Sequence, residues 1–278
     1  MSADFPAWGE RRFGRFNTLG VWTLYKKEVL RFLKVVTQTI AAPVIQSLLF
    51  LFIFSVVISA TRTTSYSVPF PAFMAPGLIM MQIIQNSFAN TASSLLVSKI
   101  QGNVVDFLMP PLSAGELTLA FAAGGATRGV VVGAVSWIAM AIYLTFVEPE
   151  SAASFNSIEH IWAILFFAVG ASLILSFIGI LSGMWAEKFD HMATVTNFVI
   201  MPSALLSGTF YSVSQMPGLL QTVSQFNPVF YLIDGFRYGF TGMHDSNLMV
   251  GVTIVIVLNI VLGIWCHALF RSGYRLKA

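Results

Sequence analysis

Six long stretches with at most one formal charge set the terms on which this chain can fold. Residues 40–60, 68–98, 161–186, 192–233 and 246–270 carry none, and 117–147 is broken only by Arg128. A helix crosses the hydrocarbon core of a bilayer with about 20 residues, so each stretch is long enough. Charged residues make up 10% of the chain and hydrophobic ones 56%, against about 25% and roughly 45–50% in an ordinary soluble domain. With a mean hydropathy of +0.78, the chain reads as an all-α integral membrane protein and not as a soluble enzyme. Stretch 192–233 is too long for one crossing, since as a single helix it would run about 63 Å. Pro202, Gly208, Pro217, Gly218 and Pro228 punctuate it, and Gln221, Ser224, Gln225 and Asn227 make its second half polar.

Two topologies follow: six spans with a partial element after the fifth, or seven full spans. Basic residues separate them, because short cytoplasmic segments collect Lys and Arg. Arg11, Arg12, Arg15, Lys26, Lys27, Arg31 and Lys34 precede the first span, and Arg271, Arg275 and Lys277 follow the last. Both termini are then cytoplasmic and the number of spans is even. Six spans, at 38–60, 71–96, 117–147, 160–185, 192–212 and 247–270, also place Lys99 and Lys188 inside and leave only Arg62 and Arg237 outside. The outer loop after span three is acidic, with Glu148, Glu150 and Glu159. Residues 213–242 become either a re-entrant hairpin in the outer leaflet or an outer loop. Val229, Phe230, Tyr231 and Leu232 favour the hairpin, being too apolar for open water.

Residues 1–37 form a cytoplasmic arm and contain no apolar core of the length a cleavable signal needs. Trp22, Tyr25, Val29 and Leu33 recur there at helical spacing, with Lys27, Arg31 and Lys34 on another face. That pattern suits a helix lying in the membrane surface, or a cytoplasmic extension of the first span.

Several chemistries are missing. No G-x-x-x-x-G-K-[ST] loop exists to cradle phosphates. His160, His191, His244 and His267 stand at span ends or in loops without metal-ligand spacing. No G-x-S-x-G occurs, no paired carboxylates lie inside a span, and the single Cys266 excludes an internal disulfide. The net charge of +3 is largely topological and indicates no nucleic-acid partner.

Two features inside the spans are polar. Arg128, costly at mid-span by about 3 kcal/mol, must face protein or water. Gly125, Gly129 and Gly133 beside it form a G-x-x-x-G ladder for close helix packing. In span two, Gln82, Asn86, Asn90 and Ser93 share a face, with Gln85 flanking. Both features fit helix packing or a translocation path, and the residues leave that choice open.

The stretch M-P-S-A-L-L-S-G-T-F-Y-S-V-S-Q-M-P, running on to N-P-V-F-Y-L-I-D-G-F-R-Y-G, closely resembles the signature of type-2 ABC transporter permeases. Its elements here are Pro202, Leu206-Ser207-Gly208, Phe210-Tyr211, Pro217, Asn227-Pro228, Tyr231, Asp234 and Arg237. Within that family the sequence looks most like bacterial inner-membrane permeases related to drug-resistance and nodulation-factor or polysaccharide exporters. The resemblance covers nearly the whole chain and implies a single membrane domain with an elbow helix, six spans and an outer re-entrant hairpin between spans five and six. It implies a coupling loop at 97–116, where Gly102, Val105, Asp106, Leu108, Met109, Pro110 and Glu116, with Glu187 and Asp190 of a second loop, meet a separate ATPase subunit. Ser207, Gly208, Pro217, Asn227, Pro228, Tyr231, Asp234 and Arg237 would form an outer gate, with Asp234 and Arg237 able to pair at i and i+3. The implied assembly is a homodimer in the bacterial inner membrane with two ATPase subunits. ATP and Mg belong to those subunits, and this chain holds neither a metal nor a catalytic residue. Its implied task is ATP-driven export of an amphipathic, lipid-linked or drug-like substrate. The competing expectation is an ion-coupled secondary transporter or a channel, which would want intramembrane acids or a repeated half.

Overall fold

A computed structural model describes residues 16–58 and 68–275, and these residues are helical with no strand among them. Helix α1 (Thr18–Leu33) leads through a π-turn at Thr37–Ala41 into α2 (Ala42–Ile58). Then come α3 (Phe70–Ile100), a single turn α4 (Val105–Leu108), α5 (Ala114–Val147), α6 (Pro149–Asn156) and α7 (Ile161–Trp185). Helix α8 (Phe189–Val195) continues through a second π-turn, Thr196–Ile200, into α9 (Met201–Leu205). Helices α10 (Gly218–Phe226), α11 (Pro228–Thr241) and α12 (Leu248–Ser272) complete the chain.

Among the described residues, four helices are long and apolar enough to cross a membrane: Thr37–Val56, α5, α7 and α12. Helix α3, at 31 residues about 46 Å long, is not one of them, because its amides dilute its apolar character. It is instead the most enclosed element, buried on nearly every side from Phe70 to Leu96. Helices α5, α7 and α11 wall it in. A helix buried all round does not need an amphipathic stripe.

Three small-residue contacts set the closeness of that packing. A Cβ on Gly129 would collide with Ser87 Oγ, and one on Gly125 would lie 2.5 Å from Ser176 Oγ, so α5 rides directly on α3 and α7. On α7, Gly179 meets the Phe88 carbonyl of α3 in the same way, at 2.6 Å.

Stretch 192–233 divides where its prolines and glycines stand. Residues 189–205 form one bent helix about 25 Å long, shorter than the 192–212 crossing expected for it. Gly208 then turns the chain with φ +73°, a conformation that only glycine adopts without strain. Helix α6 is unforeseen by the sequence reading. Its Phe155 is fully buried and stacks on Phe240, ring centroids 5.1 Å apart.

Helix α1 keeps Trp22 and Leu33 of the Trp22, Tyr25, Val29, Leu33 series on its exposed surface and packs on the bundle through a separate face. Leu24, Glu28 and Phe32 are buried against the bundle, while Trp22, Leu19 and Leu33 stay exposed. Arg31, spaced to share a face with Lys27 and Lys34, reaches inward to α3 while staying partly exposed.

Candidate functional site: two cross-linked ends and a polar seam

Helices α3, α7 and α12 finish at one end of the bundle, called the near end, where α5 begins. Lys99 Nζ joins two of them there, donating to the carbonyls of Met184 (2.7 Å) and Ala186 (2.6 Å). Gly102, with φ +72°, reverses the chain into α4. Phe107 points inward at 2% exposure and meets Phe121 edge-on at 5.3 Å, and Phe121 stacks on Phe270 at 5.9 Å. With that ring anchored, Val105, Leu108 and Met109 face outward, Met109 at 79% exposure. Asp106 and Pro110 are exposed beside them.

Glu116 departs from the expectation that it belongs to this outward surface. It is buried. Its Oε2 accepts the Ser113 N–H (2.6 Å) while Ser113 Oγ accepts the Glu116 N–H (3.3 Å), a reciprocal capping box that starts α5. The other carboxylate oxygen accepts the Asn17 N–H at the start of α1. Burial pushes this carboxyl up, but the hydrogen bonds from Ser113 and Asn17 outweigh it and hold Glu116 below the usual carboxylate range. Glu116 therefore clamps α1 to α5 and is not free for docking. Glu187 and Asp190, in the neighbouring loop, are exposed. Glu187 is ion-paired with Arg275 at 3.3 Å.

Midway along α3 lies the polar seam. Arg128 of α5 donates to Asn86 Oδ1 (3.0 Å), and Asn86 Nδ2 donates to the Gln82 carbonyl one turn back (3.0 Å). One turn further along α3, Arg31 of α1 donates to the Asn90 carbonyl (2.6 Å) and Oδ1 (3.0 Å), to Ser93 Oγ (3.2 Å) and to Glu28 (3.1 Å). Glu28 in turn accepts from Ser94 Oγ (2.7 Å). The structure thus brings Gln82, Asn86, Asn90 and Arg128 together and adds Glu28 and Arg31, which sequence reasoning missed. The available signal was a lone acid three residues before an arginine in a basic helix. Gln85 stands apart, its Nε2 facing Met201 Sδ at 3.4 Å.

The far end is held by the 201–242 residues. Asn227 caps α11 through the Val229 N–H (3.1 Å) and donates to the Ser203 carbonyl (2.7 Å) and Ser207 Oγ (2.9 Å). Pro228 occupies the first turn of α11, where a missing N–H costs nothing. Pro217 precedes α10, and Tyr231 is half-buried with its ring edge-on to Phe230 at 5.1 Å.

Asp234 and Arg237 do not pair, contrary to expectation: no ion pair joins them among the described residues. Asp234 accepts the N–H groups of Asp245 and Ser246 (2.9 Å each) and Ser246 Oγ (2.6 Å). Arg237 donates to the carbonyls of Phe73 (3.2 Å) and Gly208 (2.6 Å), its guanidinium 3.9 Å from the Phe73 ring centroid. Asp245, also unforeseen, accepts from Ser212 Oγ (2.9 Å) and the Val213 N–H (3.0 Å). Burial pushes the Asp245 carboxyl above its ordinary value, against the backbone hydrogen bonds that lower it.

No group of three or more His, Cys, Asp or Glu side chains among the described residues could hold a metal ion.

A seam of charges and amides walled by helices apolar enough to cross a bilayer marks an integral membrane protein built around a polar interior. Comparison with known proteins narrows the class. Residues 20–241 match the ABC-2 type transporter family profile. The chain is 32% identical over 257 residues to the inner membrane transport permease YadH of Escherichia coli (strain K12), covering 92% of this chain and 96% of that one. It is 22% identical over 264 residues to nodulation protein J of Rhizobium leguminosarum bv. viciae, covering 93% and 95% respectively. The chain belongs to the ABC-2 type transporter family.

Proposed function

We propose that this chain is the membrane subunit of an ATP-driven exporter, acting as a homodimer with two separate ATPase subunits that carry the ATP and Mg. The observation that carries this reading is α4, where an inward Phe107 leaves Val105, Leu108 and Met109 exposed on a single rigid turn. Exposed apolar side chains on a fixed turn outside any crossing helix favour burial by a partner. Asp106, Pro110 and Asp190 rim the same end and complete the docking surface. Gly102 supplies its turn.

In this reading the near end is cytoplasmic, as are both termini, and the membrane is the bacterial inner membrane, consistent with the name of YadH. Six helical segments cross it: α2, α3, α5, α7, residues 189–205 and α12. Helix α1 lies in the inner surface as an elbow, its exposed Leu19, Trp22 and Leu33 facing lipid. Helices α10 and α11 form the outer re-entrant hairpin, and the contacts of Ser207, Gly208, Asn227, Asp234 and Arg237 make it a rigid gate. The seam of Gln82, Asn86, Asn90 and Arg128 lines the route of an amphipathic substrate.

The test is capture of the ATPase from native membranes by the tagged, detergent-solubilised chain. Wild type should retain a nucleotide-binding subunit, and the pair Asp106→Arg with Leu108→Asp should lose it while still eluting as a folded protein. Absence of any nucleotide-binding chain under mild detergent conditions sinks the reading.

A further inference from the structure

We infer that the seam between Arg31 and Arg128 is a binding site for a phosphate group carried by an amphiphile. The inference rests on the exporter reading in one respect only, that the amphiphile is cargo.

The two guanidinium groups come from different helices and meet amides one turn apart on α3, Asn90 and Asn86. One helical turn is a rise of about 6 Å. Each guanidinium carries a full positive charge, and Glu28 is the one carboxylate bonded into the seam among the described residues. A positive charge is left over in a place where charge is costly.

The hydrogen bonding has the same sign. Asn90 is fully buried, and its Nδ2 has no partner. Neither has Arg31 Nε or Arg128 Nε. All three are donors, so what completes the seam is an acceptor. Ser87 Oγ, unpartnered as well, faces Gly129 on another side of α3. Three donors from two forks and an amide suit a ligand with several oxygens on one centre, which a phosphate offers with its three terminal oxygens. Guanidinium groups match that geometry, and a phosphate's charge of between one and two offsets the excess.

Access is on the same helix. Lys26, Lys27, Leu30, Arg31 and Lys34 line one open groove of about 500 Å³ along α1. Arg31 belongs to both groove and seam, its side chain 34% exposed. A headgroup drawn to the lysines therefore meets Arg31, whose guanidinium holds Asn90 one turn along α3 from the amide that holds Arg128. Leu30, in the same groove, and Trp22 and Leu33 on the exposed surface of α1 offer an apolar margin for a tail.

The experiment uses the full chain, purified in a neutral detergent without any ATPase, and titrates it with dodecyl phosphate, with dodecanol and with inorganic phosphate, read by thermophoresis. Dodecyl phosphate should saturate at least tenfold more tightly than dodecanol. Arg128→Gln should weaken it by tenfold or more with an unchanged melting temperature, and Arg128→Lys, which keeps the charge but not the fork, should recover only part of the loss. If Arg128→Gln fails to fold, Arg31→Gln at the half-exposed edge carries the same expectation. Equal binding of dodecanol, or affinity unchanged in both variants, overturns the site. Inorganic phosphate binding as tightly as dodecyl phosphate overturns the amphiphile and leaves an ion site. Because no ATPase is present, these outcomes are independent of whether the capture experiment above succeeds.

Discussion

Asp234 and Arg237 sit three positions apart on α11 and hold two different parts of the chain. The carboxylate takes the N–H groups of Asp245 and Ser246 ahead of α12, and the guanidinium takes the carbonyls of Phe73 and Gly208. Charged side chains used on neutral backbone groups in this way are strong hydrogen-bond partners. Helix α11 is thereby bonded to α3, to the turn after α9 and to the segment before α12.

Arg237→Met removes both donations and leaves two carbonyls without their buried partner. The expected loss is about 3 kcal/mol, measured as a fall in thermal midpoint in detergent. Arg237→Lys should recover little of it, because a lysine presents one point of charge and cannot both span the two carbonyls and lie flat on the Phe73 ring.

Phe107 and Met109 should separate stability from partner binding. Phe107→Ala opens a cavity beneath α4 and should cost roughly 3–5 kcal/mol. Met109→Ala touches only an exposed side chain and should leave the midpoint within about 0.5 kcal/mol while weakening ATPase capture. Equal capture by Met109→Ala and wild type would count against the docking surface.

Glycine substitutions should divide by site. A Cβ at Gly129 collides with Ser87 Oγ and, at 2.9 Å, with the Ile83 carbonyl, so Gly129→Ala should force α3 and α5 apart and cost about 1–3 kcal/mol. Gly102→Ala meets nothing within 4 Å and carries only the strain of its positive φ, about 1 kcal/mol. Thermal midpoints of the two variants decide the order.

The two ends should respond oppositely to acid. Glu116 is held below its ordinary 4.5, so its clamp is fully present above that value and is lost as pH falls through the lower folded one. Asp245 is raised above its ordinary 3.8, so its contribution is present below that value and is lost as pH rises through the folded one. Corrected for the intrinsic pH dependence of exchange, protection at the start of α1 should fall below about pH 4.5, whereas the protection set by global opening around Asp245 should rise as the solution is acidified from neutral. The same direction at both ends would refute the assignment.

Much of this was legible in the chain. Proline and glycine marked the divisions of 192–233 because they act through local backbone geometry, which sequence carries directly. The G-x-x-x-G ladder announced the close approach of α5 for the same reason. Glu116 was misplaced and the inward reach of Arg31 was missed because their settings are made by other helices: the amide that binds Arg31, Asn90, arrives from 59 positions away. Phe107 was passed over since four residues are too few to show which side of a turn is buried. The pairing of Asp234 with Arg237 followed helical spacing correctly but ignored competing backbone partners, which are invisible without the tertiary fold.

Helix α5 has 34 residues and extends about 51 Å, while residues 189–205 extend about half as far. In the proposed topology one bilayer must accommodate both. A long apolar helix is fitted by leaning over or by thickening the lipid around it, and a short one by drawing the two leaflets together. The lipid collar around this chain is then uneven, thick on one flank and pinched on another. Membranes of different acyl length should favour different tilts of the bundle, giving the host bilayer itself an influence on how far the two ends stand apart.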